Sequence, residues 1–339
     1  MNYRLVFKLT GNVLLVESAA MLLPLLVALI YQENPMPFLA TVPVIAAAGL
    51  LLSHIKSDDH FFPREGFFAV ALIWLLLGAC GALPFYLCGR MQPELGLFQT
   101  YIDCFFEAVS GFTTTGASVL TAVEPLPLCI LFWRSFIHWL GGMGVLILAI
   151  ALLPSLGGRT VHLMKAESPG PVVSKLVPKT SDSSKILYSI YCALTALQVL
   201  CLRLAGMPWF DSIVNSFATA GTGGFAVRNT SIAAYANPAA EIIITVFMLL
   251  FSINFSMYFL LLCGKIRQVF RSDELRFFLL VVAGSIVLIT VNIHTLYPTV
   301  GESLRHAAFQ VGSIISTTGF SSVDFDLWPE FSRVLLVLL

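Results

Sequence analysis

Long apolar segments constrain the fold of this chain more than any other feature. A helix needs about 20 residues to cross the hydrocarbon core of a bilayer, and several apolar segments reach that length. Hydrophobic residues make up 58% of the chain and charged residues only 11%, whereas about a quarter of a soluble domain is charged. The sequence therefore predicts an all-α integral membrane protein. The predicted spans cover residues 13–31, 38–55, 67–88, 126–153, 186–206, 238–263 and 277–293.

Lysine and arginine are distributed unevenly over the segments between these spans. Alternation of the spans places thirteen of the 19 cationic residues on one side of the membrane and four on the other. The rich side holds the N-terminus and the segments near 56–66, 154–185 and 264–276. Because cytoplasmic segments carry the excess of lysine and arginine, we predict that the N-terminus is cytoplasmic.

A short Thr/Gly motif recurs three times on the opposite, outer side. Each copy follows a semi-apolar stretch of about ten residues and precedes a long apolar segment. Internal repeats of this kind indicate repeated structural units. The copies lie in residues 101–118, 209–227 and 303–322, and their central residues are Thr114, Thr115 and Gly116; Thr222, Gly223 and Gly224; and Thr317, Thr318 and Gly319.

The repeated segments have the length and composition of re-entrant pore loops. A helix of ten residues is about 15 Å long, roughly half of the hydrocarbon thickness. Irregular backbone at membrane depth is tolerated where it lines a watery cavity, and carbonyl oxygens there can replace the hydration shell of an ion. The negative C-terminal end of each half-helix favours a cation. Ordinary turns are the alternative interpretation, but three copies on one predicted side favour an ion filter.

Several longer motifs identify a family resemblance. PREGF at 63–67, FFEAVSGFTTTGA at 105–117, HWLGGMGVLILAIALLP at 138–154, KAESPGP at 165–171 and SFATAGTGGF at 216–225 resemble the TrkH-type branch of the Trk/Ktr/HKT potassium transporter superfamily. This resemblance implies tandem helix–pore-loop–helix repeats, potassium-channel-like, around a central pore. It divides the chain into two N-terminal transmembrane helices (1–62), a first repeat (63–155), a cytoplasmic linker (156–185), a second repeat (186–265) and an incomplete third repeat (266–339).

The resemblance also implies that the chain is truncated before a fourth repeat. The last apolar run begins near Arg333 and reaches only Leu339, which is too short to cross a membrane. The family builds its pore from four repeats, so we expect a native chain to continue past Leu339. The implied location is the bacterial cytoplasmic (inner) membrane.

The function implied by the resemblance is potassium uptake through backbone carbonyls, with the nine Thr/Gly residues named above as the ion-binding set. Gly116 resembles the potassium-selective members, and a sodium-coupled or sodium-permeable symporter of the same fold stays open as the alternative. Potassium is the transported ion and no organic cofactor is expected. The implied partners are a second copy of the chain in a homodimer, a TrkA-like cytoplasmic nucleotide-binding regulatory subunit and membrane lipid, but no nucleic acid. The sequence contains no P-loop, GxSxG or HExxH motif, so we do not expect an enzyme.

Individual charged residues in apolar segments have competing interpretations. Arg134 in the fourth predicted span is either functional or close enough to the surface to snorkel. The acidic residues of the half-helices either concentrate cations or form caps and pairs with Arg90, Arg203 or Arg228. Asn254 is expected to form a hydrogen bond with a neighbouring helix. Those acidic residues are Asp103, Glu107 and Asp211, and two further acids, Glu17 and Glu241, are expected near span ends in contact with water.

Overall fold

The computed structural model describes residues 2–56, 63–93, 96, 98, 100–144 and 180–339. The described residues form helices joined by turns, and no strand occurs among them. Contacts divide the chain into two compact units, Met1–Tyr188 and Ser189–Leu339.

The first unit contains seven described helices ahead of a long helix that runs past its end. Trp133 joins the last of these seven helices to the fourth, because its indole Nε1 donates a hydrogen bond of 3.0 Å to the carbonyl oxygen of Gly81. The helices are α1 (Tyr3–Ala20), α2 (Leu22–Ile30), α3 (Met36–Ser53), α4 (Pro63–Gly81), α5 (Leu83–Met91), α6 (Tyr101–Phe112) and α7 (Leu128–Gly142).

Helix α1 begins ten residues before the span predicted at 13–31. Asn2 caps it, because the Asn2 side chain accepts a hydrogen bond from the amide of Leu5. Such a cap satisfies one of the free amides at a helix N-terminus and lets the helix start in a less apolar segment. Helices α1 and α2 together form an apolar span of 28 residues, Tyr3–Ile30.

Glycines allow α1 and α3 to cross at close range. A Cβ atom built at Gly11 would lie 2.8 Å from the carbonyl oxygen of Gly49, and one at Gly49 would lie 3.0 Å from the carbonyl oxygen of Gly11. Small residues at such crossings let helix backbones approach in membranes, where packing replaces the hydrophobic effect as the driving force. The N-terminal helices are therefore tightly packed parts of the first unit.

The second unit is also helical. Two of its helices, Trp209–Ala220 and Val300–Ile315, are short and have many buried residues. Hydrophobic clusters of this unit include Phe309 and Val311 of the second of these two helices. The helices are α8 (Thr180–Leu204), which begins before the boundary between the units, α9 (Trp209–Ala220), α10 (Pro238–Ser252), α11 (Phe255–Leu262), α12 (Ile266–Phe270), α13 (Asp273–Ile293), α14 (Val300–Ile315) and α15 (Glu330–Leu338).

The segment predicted as one span over 238–263 is not a straight helix but a pair of helices with a break between them. Helices α10 and α11 meet at 90°, because Ile253 adopts an extended conformation (φ −76°, ψ 138°). The side chain of Asn254 then caps α11 by accepting a hydrogen bond of 3.0 Å from the amide of Ser256. Among the described residues, the Asn254 side chain therefore caps its own helix and forms no bond to a neighbouring helix.

The described helices confirm the prediction of a multi-pass membrane protein. Five helices or joined helix pairs of the described residues are long and apolar enough to cross a membrane, or six if the bent pair α10–α11 counts as one span. The span predicted at 126–153 is described as α7 up to Gly142, and residues 145–153 lie outside the described residues. Most of the predicted linker 156–185 also lies outside them.

Candidate ion-selectivity loops

Each Thr/Gly motif follows a helix that is too short to cross a membrane. Helices α6 and α9 have 12 residues and α14 has 16. At 1.5 Å per residue these helices are about 18 Å and about 24 Å long, against roughly 30 Å of hydrocarbon. The predicted half-helices are therefore present, somewhat longer than the ten residues expected.

The loops that follow these helices share one backbone conformation. In each loop the first threonine and the glycine two residues later have a positive φ, and the residue between them does not. Positive φ costs a residue with a side chain about 1–2 kcal/mol, and such residues persist where the surrounding structure enforces them, often at functional sites. The φ angles are 56° at Thr114, 51° at Thr222 and 58° at Thr317, and 74° at Gly116, 75° at Gly224 and 79° at Gly319.

Hydrogen bonds to the preceding helix impose this conformation. The amide of the middle residue donates to a carbonyl oxygen five residues earlier in every copy. The amide of the first threonine donates to a carbonyl oxygen three residues earlier, for example from Thr317 to Ile314 over 2.9 Å. The bonds of the middle residues are Thr115 to Ser110 (2.9 Å), Gly223 to Ala218 (3.0 Å) and Thr318 to Ser313 (2.9 Å). The repeat seen in the sequence is thus also a repeat of backbone geometry.

The carbonyl oxygens of the loops are left available by this arrangement. Within the described part of the chain, no amide or hydroxyl group donates to the carbonyl of any of the nine central residues. Buried carbonyl groups are nearly always paired with protein or water, and in a pore loop a dehydrated cation takes that place. These carbonyls belong to Thr114, Thr115, Gly116, Thr222, Gly223, Gly224, Thr317, Thr318 and Gly319.

Serine side chains brace the first and third loops. The hydroxyl of Ser110 donates to the carbonyl oxygen of Ala117, and that of Ser313 donates to the carbonyl oxygen of Phe320, both over 2.6 Å. Ala218 stands at the equivalent position of the second loop and has no hydroxyl. The first and third loops therefore share a serine hydroxyl bond that Ala218 cannot form in the second loop.

We expect Ser110→Ala and Ser313→Ala each to raise the half-saturation concentration for potassium about three- to tenfold, because the loss of one net hydrogen bond is worth about 0.5–1.5 kcal/mol. Uptake by cells that depend on the protein for potassium measures this change. Ser252→Ala is the control, since the Ser252 hydroxyl bonds to Met248 within α10. Equal half-saturation concentrations in all three variants would contradict the bracing role.

Backbone contacts hold the second and third loops together within the second unit. A Cβ built at Gly224 would lie 1.9 Å from the carbonyl oxygen of Thr318, so the two backbones touch. The amide of Ser321 donates to the Ser231 hydroxyl over 3.2 Å, and the amide of Ala233 donates to the Ser321 carbonyl oxygen over 3.1 Å. Motif spacing alone does not reveal this contact, because nearly one hundred residues separate the two loops.

In the first unit, a buried ion pair lies behind the first loop. Arg134 is 3% exposed and its Nε donates to Glu107 Oε1 over 2.5 Å. The snorkelling interpretation of Arg134 is therefore wrong, as is the pairing of Glu107 with Arg90, Arg203 or Arg228. A sequence signal for this contact exists, since charges inside apolar segments are expected to pair with one another.

Three of the other acidic residues, Asp103, Asp211 and Glu241, contact polar partners. Asp103 forms a capping box with Thr100 at the start of α6. Asp211 lies beside Tyr235, whose pKa is raised by burial and by the Asp211 carboxylate, so the phenol stays protonated. Glu17 and Glu241 are 2% and 4% exposed, so the prediction that both contact water is wrong. The longer α1 places Glu17 well inside a span, and Arg305 covers Glu241 with an ion pair of 2.9 Å.

Among the described residues, no group of three or more histidine, cysteine or acidic side chains is placed to hold a metal ion. The Thr/Gly loops offer uncharged oxygen atoms, which suit a monovalent cation released from water. Apolar spans, half-helices that stop short of spanning, and loops with available carbonyls together define a multi-pass helical membrane protein of the pore-loop class.

Residues 38–339 match the TrkH family, described as a cation transport protein, and the chain belongs to this family. It is 38% identical over 344 residues to the Trk system potassium uptake protein TrkH of Salmonella typhimurium, covering 99% of this chain and 70% of the relative. The corresponding protein of Halomonas elongata is 37% identical over 338 residues, covering 97% and 68%.

Solved structures agree with this assignment. The crystal structure of the potassium transporter TrkH from Vibrio parahaemolyticus matches with a TM-score of 0.85 and 32% identity, covering 100% of this chain and 69% of that chain. The family resemblance and the helical membrane fold predicted from the sequence are confirmed.

Proposed function

We propose that the chain takes up potassium ions across the bacterial cytoplasmic membrane, with the backbone carbonyls of the three Thr/Gly loops as the selectivity filter. The observation that carries this proposal is the repeated loop geometry, in which nine carbonyl oxygens accept no hydrogen bond from the described residues. The relatives from Salmonella typhimurium and Halomonas elongata are potassium uptake proteins by name, which supports potassium as the ion.

The binding of potassium at the loops follows from the chemistry of their backbone carbonyls. Carbonyl dipoles can replace the water around a potassium ion without fixing it by a full negative charge, so the ion can leave again. The C-terminal ends of α6, α9 and α14 each lead directly into a loop, and their partial negative charge stabilises a cation there. The repeat bounds 63–155, 186–265 and 266–339 are part of this proposal.

Replacing Gly116 with serine is expected to lower the discrimination between potassium and sodium about tenfold. Gly116 has a φ of 74°, and a residue with a side chain loses about 1–2 kcal/mol in that region, enough to favour a different loop conformation. Competition by sodium against potassium uptake in cells measures the change, with the protein expressed from its complete gene.

Gly206→Ser is the matched control for this substitution. Gly206 also has a positive φ, 93°, and a Cβ there would meet nothing within 4 Å. The serine substitution at Gly206 therefore introduces comparable backbone strain outside the loops. Unchanged discrimination in Gly116→Ser would argue against the filter assignment, and sodium-dependent uptake in the unmodified protein would favour the sodium-coupled alternative.

We propose further that the protein acts as a homodimer with a TrkA-like cytoplasmic nucleotide-binding subunit, and that its N-terminus is cytoplasmic. The relatives are named as parts of a Trk system, which supports a regulatory partner. The segment 264–276 exposes Lys265, Arg267, Arg271 and Arg276, and a basic surface of this kind suits the cytoplasmic side of a membrane. Cross-linking from this segment to the nucleotide-binding subunit in membranes tests whether the two are in contact.

A further inference from the structure

One buried carboxylate connects three parts of the first repeat. Glu107 lies on α6, one turn before the residue that braces the first loop, and its side chain is 0% exposed. Arg134 of α7 donates to its Oε1 over 2.5 Å. The half-helix and the following helix are thus joined by an ion pair inside the unit.

The same carboxylate holds the chain where it leaves the first loop. The hydroxyl of Ser118 donates to Glu107 Oε1 over 3.0 Å and lies 3.1 Å from Oε2. The amide of Val119 donates to Oε2 over 3.2 Å. Ser118 is two residues beyond Gly116, so these bonds fix the backbone next to the proposed filter.

The charge of this group matches its contacts. An ionised carboxylate only accepts hydrogen bonds, and all three contacting groups are donors: Arg134 Nε, the Ser118 hydroxyl and the Val119 amide. A buried carboxylate needs a paired cation to stay ionised, and Arg134 supplies it. Arg134 therefore acts on the loop through Glu107.

The other two loops use uncharged groups at the equivalent position. Glu107 lies three residues before Ser110. The residues three positions before Ala218 and Ser313, the equivalents of Ser110, are Asn215 of α9 and Gln310 of α14. The Gln310 amide donates to the carbonyl oxygen of Val323 over 3.4 Å, and the Asn215 amide donates to the Tyr235 hydroxyl over 3.2 Å. Of these three equivalent residues, only Glu107 is a carboxylate.

We infer that Glu107 and Arg134 are positioning residues that hold the first filter loop in its potassium-selective geometry. This inference rests on the proposed function. The pair acts by tying residues 118 and 119 to the half-helix, so that the carbonyls before them keep their directions. Loss of the Arg134 partner alone, or of a bond to residue 118 or 119, loosens one of the three loops and lowers discrimination against sodium.

Flux of rubidium into proteoliposomes, with potassium and sodium as competitors, tests the inference on purified protein from the complete gene. Arg134→Gln leaves a buried carboxylate without its partner, and we expect the competing potassium concentration for half-inhibition to rise about tenfold. Glu107→Gln combined with Arg134→Gln removes both charges while an amide oxygen still accepts from Ser118, and we expect it to recover most of that loss.

Ser118→Ala removes one bond without changing a charge, and we expect a shift of about threefold in the same direction. Glu33→Gln is the control, because the Glu33 carboxylate binds the amides of Leu128 and Cys129 at the start of α7, 2.7 and 2.9 Å away. This control is expected to affect the yield of folded protein but not the competition between ions.

Ordinary ion competition in both Ser118→Ala and Arg134→Gln would overturn the inference, whatever their yield. If Arg134→Gln does not fold, the Ser118→Ala result decides. Equal competition by sodium and potassium in the unmodified protein would instead overturn the proposed function, so the two failures are distinguishable.

Discussion

Replacing Gly224 with alanine is expected to abolish potassium uptake, whereas Gly319→Ala is expected to reduce it only a few-fold. A Cβ at Gly224 would lie 1.9 Å from the carbonyl oxygen of Thr318 and 3.1 Å from its carbonyl carbon. The backbone of one loop would have to move away from the other, and both carry proposed ion-binding carbonyls.

Gly319→Ala is the control that introduces backbone strain without this clash. Its φ is 79°, close to the 75° of Gly224, but a Cβ there would meet nothing within 4 Å. Both alanines therefore cost about 1–2 kcal/mol in dihedral strain, and only Gly224→Ala adds a collision. Uptake rates normalised to the protein in the membrane measure the difference. Similar rates in the two variants would show that the second and third loops do not touch as described.

Replacing Gly141 with alanine is expected to give the largest loss of stability, about 2 kcal/mol or more, since forced overpacking typically costs about 1–3 kcal/mol. Gly141 lies on α7, and a Cβ there would come within 1.9 Å of the Phe112 carbonyl oxygen at the end of α6. The carbonyl is backbone and cannot rotate away as a side chain would. Helix α7 must then shift from the base of the first loop.

Gly284 of α13 provides the matched control for Gly141. It is also a helical glycine, but a Cβ there would meet nothing within 4 Å, so Gly284→Ala is expected to stabilise the helix by about 0.5–1 kcal/mol. Melting temperatures of the purified variants in detergent compare the two. A melting temperature of Gly141→Ala equal to that of Gly284→Ala would contradict the close approach of α6 and α7.

The spans and half-helices were predictable because they depend on local composition. Apolar length places a helix in the membrane, and a stretch of about ten residues before a Thr/Gly motif indicates a helix that stops inside it. The break at Ile253 was not predictable, because the segment from Pro238 to Leu262 is apolar on both sides of it. Asn254 is the only local sign, and a single asparagine in an apolar run is equally compatible with a straight helix.

The loop conformation was only partly predictable. Glycine at the third position is consistent with a positive φ, but the positive φ of Thr114, Thr222 and Thr317 contradicts the ordinary preference of threonine. It arises because the amides of these loops bond back to the helix before them. Such bonds depend on the three-dimensional end of the helix and leave no residue signature.

Buried charges were the least predictable part of the site. Glu107, Arg134 and Glu241 lie in or beside apolar segments, and each is buried against a partner that is distant in the sequence. Glu107 and Arg134 are 27 residues apart, and Glu241 and Arg305 come from different helices of the second unit. The need for a partner follows from the sequence, but which residue supplies it follows only from the packing.

Ion flux through purified protein in proteoliposomes shows whether uncharged backbone oxygens of the repeated loops select potassium. We expect rubidium uptake that potassium inhibits strongly and sodium weakly, and a loss of that preference in Gly116→Ser but not in Gly206→Ser. Uptake inhibited equally by sodium and potassium, or flux no greater than through liposomes without protein, would contradict this expectation.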